Sequence, residues 1–194
     1  MTRFALTCVC IASLAVALQA RGEDWKPDEG FVSLYNGKDL TGWQYSEQDK
    51  FEGKTEASDG RYTAKGETIV VNPHDAAKGQ SKLETLWTTQ KFPKDFVLKL
   101  EFRAGVNADS GIFLRRPQLQ CRDYLVAGPY KNLKKYNPQD WNEIVVTVKD
   151  GVAQSTCNGE VLEAAMKLPE TGGIGLEADR GVMEYRRMQI KEVK

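Results

Sequence analysis

The chain lacks an excess of charge of either sign: its 194 residues carry 27 Lys and Arg against 27 Asp and Glu. Nucleic-acid-binding domains usually present a basic excess to the phosphates, so this balance excludes a typical DNA- or RNA-binding protein. Beyond the N-terminus, no apolar run approaches the ~20 residues of a membrane-spanning helix. The sequence therefore also excludes a multi-span membrane protein.

Motifs of the common catalytic and metal sites are missing as well. The chain has no HExxH, paired CxxC, P-loop or GxGxxG motif, and its one histidine, His74, lies in a turn-like Asn-Pro-His-Asp stretch typical of an exposed loop. A Cys/His zinc site therefore lacks ligands. Calcium needs only carboxylates and carbonyls, so a divalent cation stays open as a cofactor, although no EF-hand spacing favours it.

The N-terminus carries the one long apolar run. Arg3 precedes an almost wholly apolar stretch, residues 4–18, and Ala20 and Gly22 supply the small residues of a cleavage site. The pattern predicts a signal peptide over residues 1–22, a mature domain over residues 23–194, and a secreted or periplasmic location without a transmembrane span. An uncleaved membrane anchor is the alternative.

Two cysteines, Cys121 and Cys157, remain in the predicted mature chain. An exported protein can pair them in a disulfide. Both lie in strand-like segments, where buried free thiols fit equally well, and the sequence leaves both states open.

Alternating apolar and polar residues, the pattern of half-buried strands, run through the mature chain. Residues 96–103 and Asn142–Lys149 show it most clearly, and Asp-Gly and Asn-Gly turns then predict a meander to about residue 162. No segment has a convincing helical stripe. Further strands are predicted at residues 31–35, 61–64, 68–71, 83–88, 111–115, 118–123, 174–177 and 182–193. Many short strands between turns predict an all-β antiparallel sandwich or jelly roll.

Four ordered sequence blocks resemble a bacterial family, the domain-of-unknown-function 1080 or 3-keto-disaccharide hydrolase group. The blocks are FVSLYNGKDLTGW (31–43), FVLKLEFR with DSGIFLR (96–103, 109–115), DWN with CNGEV (140–142, 157–161), and GIGLE with the closing strand (173–177, 183–190). The resemblance implies a concanavalin A-like β-sandwich. It also implies a carbohydrate substrate, a glycoside already oxidised to a ketone at C3.

The chemistry implied by the resemblance needs one base and one polarising group. A C3 ketone acidifies the C2 hydrogen, a base removes that proton, the enolate expels the group on C1, and water then adds. A carboxylate near C2 and a cation or donors at the C3 oxygen are sufficient. Two opposed carboxylates acting on an unactivated acetal are not required.

Outward-facing residues of three predicted strands supply the candidate site. If strands 96–103, 111–115 and 118–123 are neighbours, one polar face carries Glu101, Arg103, Phe113, Arg115, Gln118, Gln120 and Arg122. Arg115 is the leading candidate for contact with the substrate. The catalytic assignment depends on this shared hollow, and the alternative is a solvated face with cross-strand ion pairs.

Several positions depart from the family's pattern, among them the Asn of its closing Phe-Arg-Asn-Ile block, which is Arg187 here. The family commonly has Tyr-Glu-x-Gln-Ile-x-Asp where this chain has PQLQCRD (117–123), and its closing Leu-Gln becomes Leu-Glu. Gln118 thus replaces a Glu, and Glu177 replaces a Gln. Because an amide cannot act as a base, the proton acceptor is expected among Glu101, Asp123 and Glu177.

The long segment 122–142 joins two predicted strands and contains three tyrosines. Long loops in compact domains are often functional, so Tyr124, Tyr130 and Tyr136 are expected to rim a cleft, with Tyr124 among the substrate contacts.

Three hypotheses about function follow from the sequence. The chain is an exported enzyme acting on 3-keto-glycosides, a non-catalytic carbohydrate-binding module, or an interaction or cell-surface structural protein.

Overall fold

The structure, a computed structural model, describes residues 25–123 and 128–193. The predicted signal peptide and Tyr124 lie outside the described residues. Strands dominate the described chain: β1 Val32–Ser33, β2 Trp43–Ser46, β3 Asp49–Lys50, β4 Tyr62–Lys65, β5 Thr68–Val71, β6 Glu84–Thr88, β7 Phe96–Ala104, β8 Asp109–Leu114, β9 Gln118–Arg122, β10 Asn142–Lys149, β11 Val152–Cys157, β12 Glu160–Lys167, β13 Ile174–Ala178 and β14 Met183–Glu192. Two short 3-10 helices, Ala76–Lys78 and Gly128–Asn132, complete the described elements.

The strands form two antiparallel sheets. Sheet A has the order β12-β11-β10-β7-β14-β5-β4, with β1 paired to β14, and sheet B has the order β3-β2-β6-β13-β8-β9. The predicted all-β antiparallel sandwich is confirmed. Within the described residues, no helix has the length and apolarity needed to cross a membrane.

The alternating strands bury one face each between the two sheets. On β7, Phe96, Leu98, Leu100 and Phe102 are at most 2% exposed, while the residues between them are only partly buried. Burying one such side chain fully contributes roughly 1.5–3 kcal/mol, so the period-two pattern fixes which face of each strand turns inward. The structure confirms that inference for β7, β8, β9 and β10.

Three strands go beyond the sequence prediction. The meander continues past residue 162, because β12 pairs along β11 with irregular register as far as Lys167. The short strands β2 and β3 were not predicted; β2 is anchored by Trp43, which is fully buried and whose Nε1 donates to the Leu34 carbonyl at 2.9 Å. Tertiary packing, rather than a local pattern, places these segments.

The two described cysteines are free thiols buried inside the sandwich. Burial raises the pKa of both thiols, that of Cys157 to about 12. Of the two states left open by the sequence, the structure has the free one. His74 lies exposed in its loop, as predicted, with Nε2 3.1 Å from the Gln80 carbonyl.

Candidate functional site

The strands that were expected to share one polar face lie in different sheets. β7 pairs with β10 and β14 in sheet A, whereas β8 pairs with β9 and β13 in sheet B. Because each strand turns its apolar side inward, Glu101 and Arg103 lie on the opposite outer surface from Phe113, Gln118 and Gln120. The prediction of one shared hollow is therefore wrong, since alternation defines the outward side of a strand but not its sheet.

On sheet A, both predicted site residues take part in cross-strand ion pairs. Glu101 binds Arg186 at 2.6 Å and Arg187 at 2.9 Å, and Arg103 binds Glu184 at 2.6 Å. This is the alternative arrangement that the sequence left open for the polar face. Exposed or partly exposed pairs of this kind contribute about 0–1 kcal/mol each.

Arg115 occupies the turn after β8 rather than the sheet face. It has a positive φ of 61° and is 7% exposed. Its guanidinium donates to the carbonyls of Lys94 at 2.6 Å and Pro169 at 2.8 Å, and burial lowers its pKa. It lines a separate cleft of about 810 Å³ at the end of the sandwich, so its predicted place among the sheet-face residues is wrong.

Asp123 is fully buried at the end of β9. Its carboxylate accepts hydrogen bonds from the Asn107 backbone N–H at 2.8 Å and from Gln139 Nε2 at 3.0 Å. One bond goes to each oxygen, so the carboxylate ties two loops to the strand end. This geometry separates Asp123 from the outer surface that carries Gln118 and Gln120.

A different set of residues converges on the outer face of sheet B. Gly175 on β13 lies opposite Trp87 on one side and Phe113 on the other, and Phe113 lies opposite Gln118. The next row pairs Glu177 with Thr85 and Gly111 with Gln120. We use "outer face of sheet B" for these partly buried side chains: Thr85, Trp87, Asp109, Phe113, Gln118, Gln120, Arg122 and Glu177.

Two glycines let neighbouring side chains lie flat on this face. A Cβ on Gly175 would stand 2.9 Å from Trp87 Cε3, and a Cβ on Gly111 would stand 2.5 Å from Gln118 Nε2. The Trp87 and Phe113 rings flank Gly175 with centroids 5.3 Å apart and planes tilted by 37°. The pair forms an aromatic surface suited to the apolar face of a sugar ring.

Glu177 is a partly buried acid of this face with a raised pKa. Burial raises the pKa of its carboxyl, and the nearby negative charges of Asp179 and Asp109 raise it further. A hydrogen bond from Gln118 and the charge of Arg122 act in the opposite direction. A carboxylate whose pKa is raised towards neutrality is the type of group that serves as a general base.

A chain of hydrogen bonds leads to Glu177 across the face. Arg122 donates to Gln120 Oε1, Gln120 Nε2 donates to Gln118 Oε1 at 2.5 Å, and Gln118 Nε2 donates to Glu177 Oε2. At its far end, Arg122 Nε lies 2.9 Å from Asp109 Oδ1 in an ion pair. Two predicted binding residues, Gln118 and Gln120, thus join one predicted catalytic residue.

The corner beyond Glu177 is held by a buried arginine. Arg61 is fully buried, and its guanidinium donates to four main-chain carbonyls, those of Ser81, Lys82, Ala178 and Asp179. These bonds tie the end of β13 to the segment that precedes β6. The sequence shows Arg61 only as the first residue of a predicted strand, so its role was missed.

Among the described residues, no cluster of three or more His, Cys, Asp or Glu side chains could hold a metal ion. The chemistry of the outer face of sheet B is that of two carboxylates, two amides, one guanidinium, one hydroxyl and two aromatic rings.

Residues 30–191 match the sequence family described as the 3-keto-alpha-glucoside-1,2-lyase-like domain. The chain belongs to this family. The match covers the whole sandwich and confirms the resemblance carried by the four sequence blocks. It makes the protein a member of a carbohydrate-acting family with hydrolase-like activity.

Solved structures share the fold of this family member at low identity. A protein from Parabacteroides distasonis ATCC 8503, provisionally named a glycosyl hydrolase, has 18% identity and a TM-score of 0.65 over 85% of this chain and 95% of its own. A second from that organism, with the same provisional name, has 16% identity and a TM-score of 0.58 over 84% and 99%. The exoplasmic/lumenal domain of VIP36, in its Ca2+/Man-bound form, has 11% identity and a TM-score of 0.51 over 84% and 90%. No curated protein matches the chain.

Two of the departures that the family resemblance implies meet in space. Gln118, in place of a Glu, donates directly to Glu177, in place of a Gln. In this family member, the pair of side chains therefore still contains one amide and one carboxylate, with the carboxylate on β13 instead of β9. The sequence gives both substitutions, but only the sheet order β13-β8-β9 brings them together.

Trp87, one of four tryptophans whose type suggests a sugar platform, lies on this face but is not among the residues that the sequence predicts for the site, and neither are Thr85 and Asp109. It lies in the predicted strand 83–88, where it and Thr85 alternate with the buried Leu86 and Thr88. That alternation was sufficient to place Trp87 outward. What the sequence did not show is that β13, with its Gly175, separates β6 from β8.

Proposed function

We propose that this protein cleaves 3-keto-glycosides and that Glu177 is the base that removes the C2 proton. One observation carries the proposal: Glu177 is a partly buried carboxylate with a raised pKa, on the same open face as the Trp87–Phe113 pair. Among the described residues, a hydrogen bond reaches Oε2 from Gln118 and none reaches Oε1. Oε1 is therefore the oxygen that takes the proton.

The reaction follows from the groups present. The sugar ring stacks on the aromatic pair, and Glu177 takes the proton from C2 while the C2–H electrons form the enolate of the C3 ketone. The enolate then re-forms the ketone, a C1–C2 double bond forms, and the C1–O bond breaks. The leaving oxygen takes up a proton to become the alcohol.

Water completes the cycle by adding its oxygen to C1, while a proton returns to C2. The net change consumes one water and yields the 3-keto sugar and the free alcohol. Arg122 supplies the positive charge of this face, and such a charge lowers the energy of the enolate oxygen in a partly desolvated site. Of the neighbouring carboxylates, Asp109 is already paired with Arg122, so a mechanism with a single base fits the site.

A mass-spectrometric assay tests the proposal directly. The chain of residues 23–194 is incubated in D2O with a 3-keto-disaccharide and, separately, with its non-oxidised parent. We expect alcohol release from the keto sugar alone, with one deuterium at C2 of the product. Turnover without deuterium at C2 would contradict proton abstraction there, and absence of turnover would contradict the activity.

Variants then assign the base. We expect Glu177→Gln to lose about 10²–10⁴-fold in kcat, the usual contribution of general acid–base catalysis. The matched control is Glu47→Gln, an exposed carboxylate in the β2–β3 turn, which should behave like the parent protein. Glu101→Gln and Asp123→Asn test the other two sequence candidates, and a larger loss in either would move the assignment away from Glu177.

A non-catalytic carbohydrate-binding module is the second candidate function, favoured by the Trp87–Phe113 pair, because stacking on a sugar needs no base. Calorimetry with the same keto sugar and its parent separates the two functions. Binding of either sugar without turnover would support the module, and Trp87→Ala should then abolish binding.

We also propose export by the N-terminal segment, supported by Arg3, the apolar stretch 4–18 and the small residues Ala20 and Gly22. Expression of the full chain in a Gram-negative host should place the protein in the periplasm, with an N-terminus at Glu23. A full-length product retained in the membrane fraction would support the uncleaved anchor instead.

A further inference from the structure

The hydrogen-bond chain on the outer face of sheet B has a single direction. Every link from Arg122 through Gln120 and Gln118 to Glu177 runs donor to acceptor the same way. In both amides, the nitrogen donates in the direction of Glu177 and the oxygen accepts from the direction of Arg122. A chain of two amides could run in either direction, so the groups at its ends must determine which one is adopted.

The chemistry of the two ends allows one direction only. A guanidinium has donors and no acceptor, so Gln120 must present its oxygen to Arg122. Its nitrogen is then left for Gln118, whose oxygen accepts and whose nitrogen is left for Glu177. An ionised carboxylate has acceptors and no donor, so the far end fits this direction and opposes the reverse one.

We propose that Arg122 is a positioning residue that, through Gln120 and Gln118, keeps an N–H aimed at Glu177 Oε2 and so reserves Oε1 for proton transfer. The part concerning proton transfer rests on the proposed function. The directional effect on the Glu177 carboxyl is a property of the folded protein, and it is measurable without any substrate.

Other charges also act on Glu177 and must be kept constant in a test. Asp179 follows on the corner after β13, Asp109 and Arg122 lie on β8 and β9, and Tyr185 and Cys121 are the titratable groups that lie inward of it. Removing Arg122 changes the local charge and leaves Asp109 paired with Arg180 alone, at 3.8 Å, so charge and direction change together. Replacing Gln120 breaks the chain without changing any charge.

The test follows the 13C resonance of the Glu177 carboxyl carbon during a pH titration, assigned by its loss in Glu177→Gln. Gln120→Met removes the link at constant charge and leaves the Gln118 amide free to turn its oxygen towards the protonated carboxyl of Glu177, which stabilises the neutral acid. We expect the pKa of Glu177 to rise by about half a unit to one unit, the size expected for losing one favourable hydrogen bond. Arg122→Leu should raise it at least as much.

Arg122→Lys is the conservative variant, because an ammonium also donates and does not accept. We expect it to keep the pKa of Glu177 close to the parent value, which a role in packing alone would not predict. The proposal is overturned if Gln120→Met leaves the pKa of Glu177 unchanged, or if Arg122→Lys shifts it as far as Arg122→Leu does. If one variant does not fold, the remaining comparison still decides.

The kinetic consequence separates this inference from the proposed function. If the protein turns over 3-keto sugars, the acidic limb of the pH profile of kcat/KM should shift to higher pH in Gln120→Met. The shift should equal the rise in the pKa of Glu177 seen in the titration. If it does not turn them over, the proposed function fails and the titration still judges the directional chain.

Discussion

Exchanging the amide and the carboxylate between β9 and β13 tests whether the two positions form one functional pair. The variants are Gln118→Glu, Glu177→Gln and the double exchange. Gln118 Nε2 donates to Glu177 Oε2 in the parent protein, so Gln118→Glu puts two carboxylates in hydrogen-bond contact. The double exchange restores one amide and one carboxylate, with each group on the other strand.

The magnitude follows from Coulomb's law. Two negative charges about 4 Å apart repel by roughly 1 kcal/mol in water and by about 4 kcal/mol at an effective dielectric constant of 20. The pair is partly buried, so we expect Gln118→Glu to lower the free energy of unfolding by an amount between these limits at pH 8. The double exchange should recover most of this loss.

The pH dependence of that loss has a definite sign. Two carboxylates in contact share a proton, which raises one folded-state pKa above the unfolded value of about 4.3. At a pH below the unfolded-state pKa, a raised folded-state pKa does not change the free energy of unfolding. The free energy of unfolding is lowered as the pH rises through the folded-state pKa. Gln118→Glu should therefore match the parent protein near pH 4 and fall below it at pH 8.

Urea unfolding of the four proteins at both pH values measures the coupling as a double-mutant cycle. The reasoning is refuted if Gln118→Glu is no less stable than the parent at pH 8, or if the double exchange equals the sum of the single changes. In the keto-sugar assay, we expect the double exchange to be at least tenfold more active than Glu177→Gln.

Four further outcomes follow from the structure. Gly111→Ala would place a Cβ 2.5 Å from Gln118 Nε2. Displacement of the Gln118 amide should lower kcat/KM for the keto sugar roughly tenfold to a hundredfold. Arg61→Leu leaves four main-chain carbonyls without their donor, one of them in a fully buried bond, and should cost about 3 kcal/mol or more by urea unfolding; a cost below ~1 kcal/mol would contradict its anchoring role. Cys121 and Cys157 are buried with raised pKa values, so a thiol reagent at pH 8 should modify them only after unfolding. Because burial raises the pKa of Glu177, Glu177→Gln should gain stability relative to the parent protein as the pH rises from 4 to 8, and a falling difference would contradict the raised pKa.

Much of the fold could be predicted because it depends on local alternation. The pattern of β7 and β10 specifies which residues turn inward, and the Asp-Gly and Asn-Gly turns specify that β10, β11 and β12 are consecutive neighbours. β8 and β9 likewise form a hairpin, as their closeness in sequence indicates. These features involve residues in one strand, or in two strands joined by a short turn, and over such short distances sequence patterns are informative.

The site could be predicted only in part because it depends on pairings between distant strands. The register that sets Glu177 beside Thr85 and Gly175 beside Phe113 joins segments separated by many residues. Gln118, Gln120 and Phe113 were found because they share one hairpin. Glu101 and Arg103 were assigned to the same surface because β7 precedes β8 in sequence, and nothing in either strand shows that the chain changes sheets between them.

The position of the carboxylate within sheet B has a physical consequence for its use as a base. β13 is flanked by β6 and β8, whereas β9 is one of the two edge strands of the sheet. A carboxylate on β13 is less solvated and more rigidly held than one on β9, since Arg61 anchors the corner next to Glu177. Precise placement on a rigid element favours catalysis, and desolvation raises the pKa towards neutrality. The double exchange moves the carboxylate to the edge strand β9. The free energy of unfolding of this variant should therefore return closer to the parent value than its kcat does.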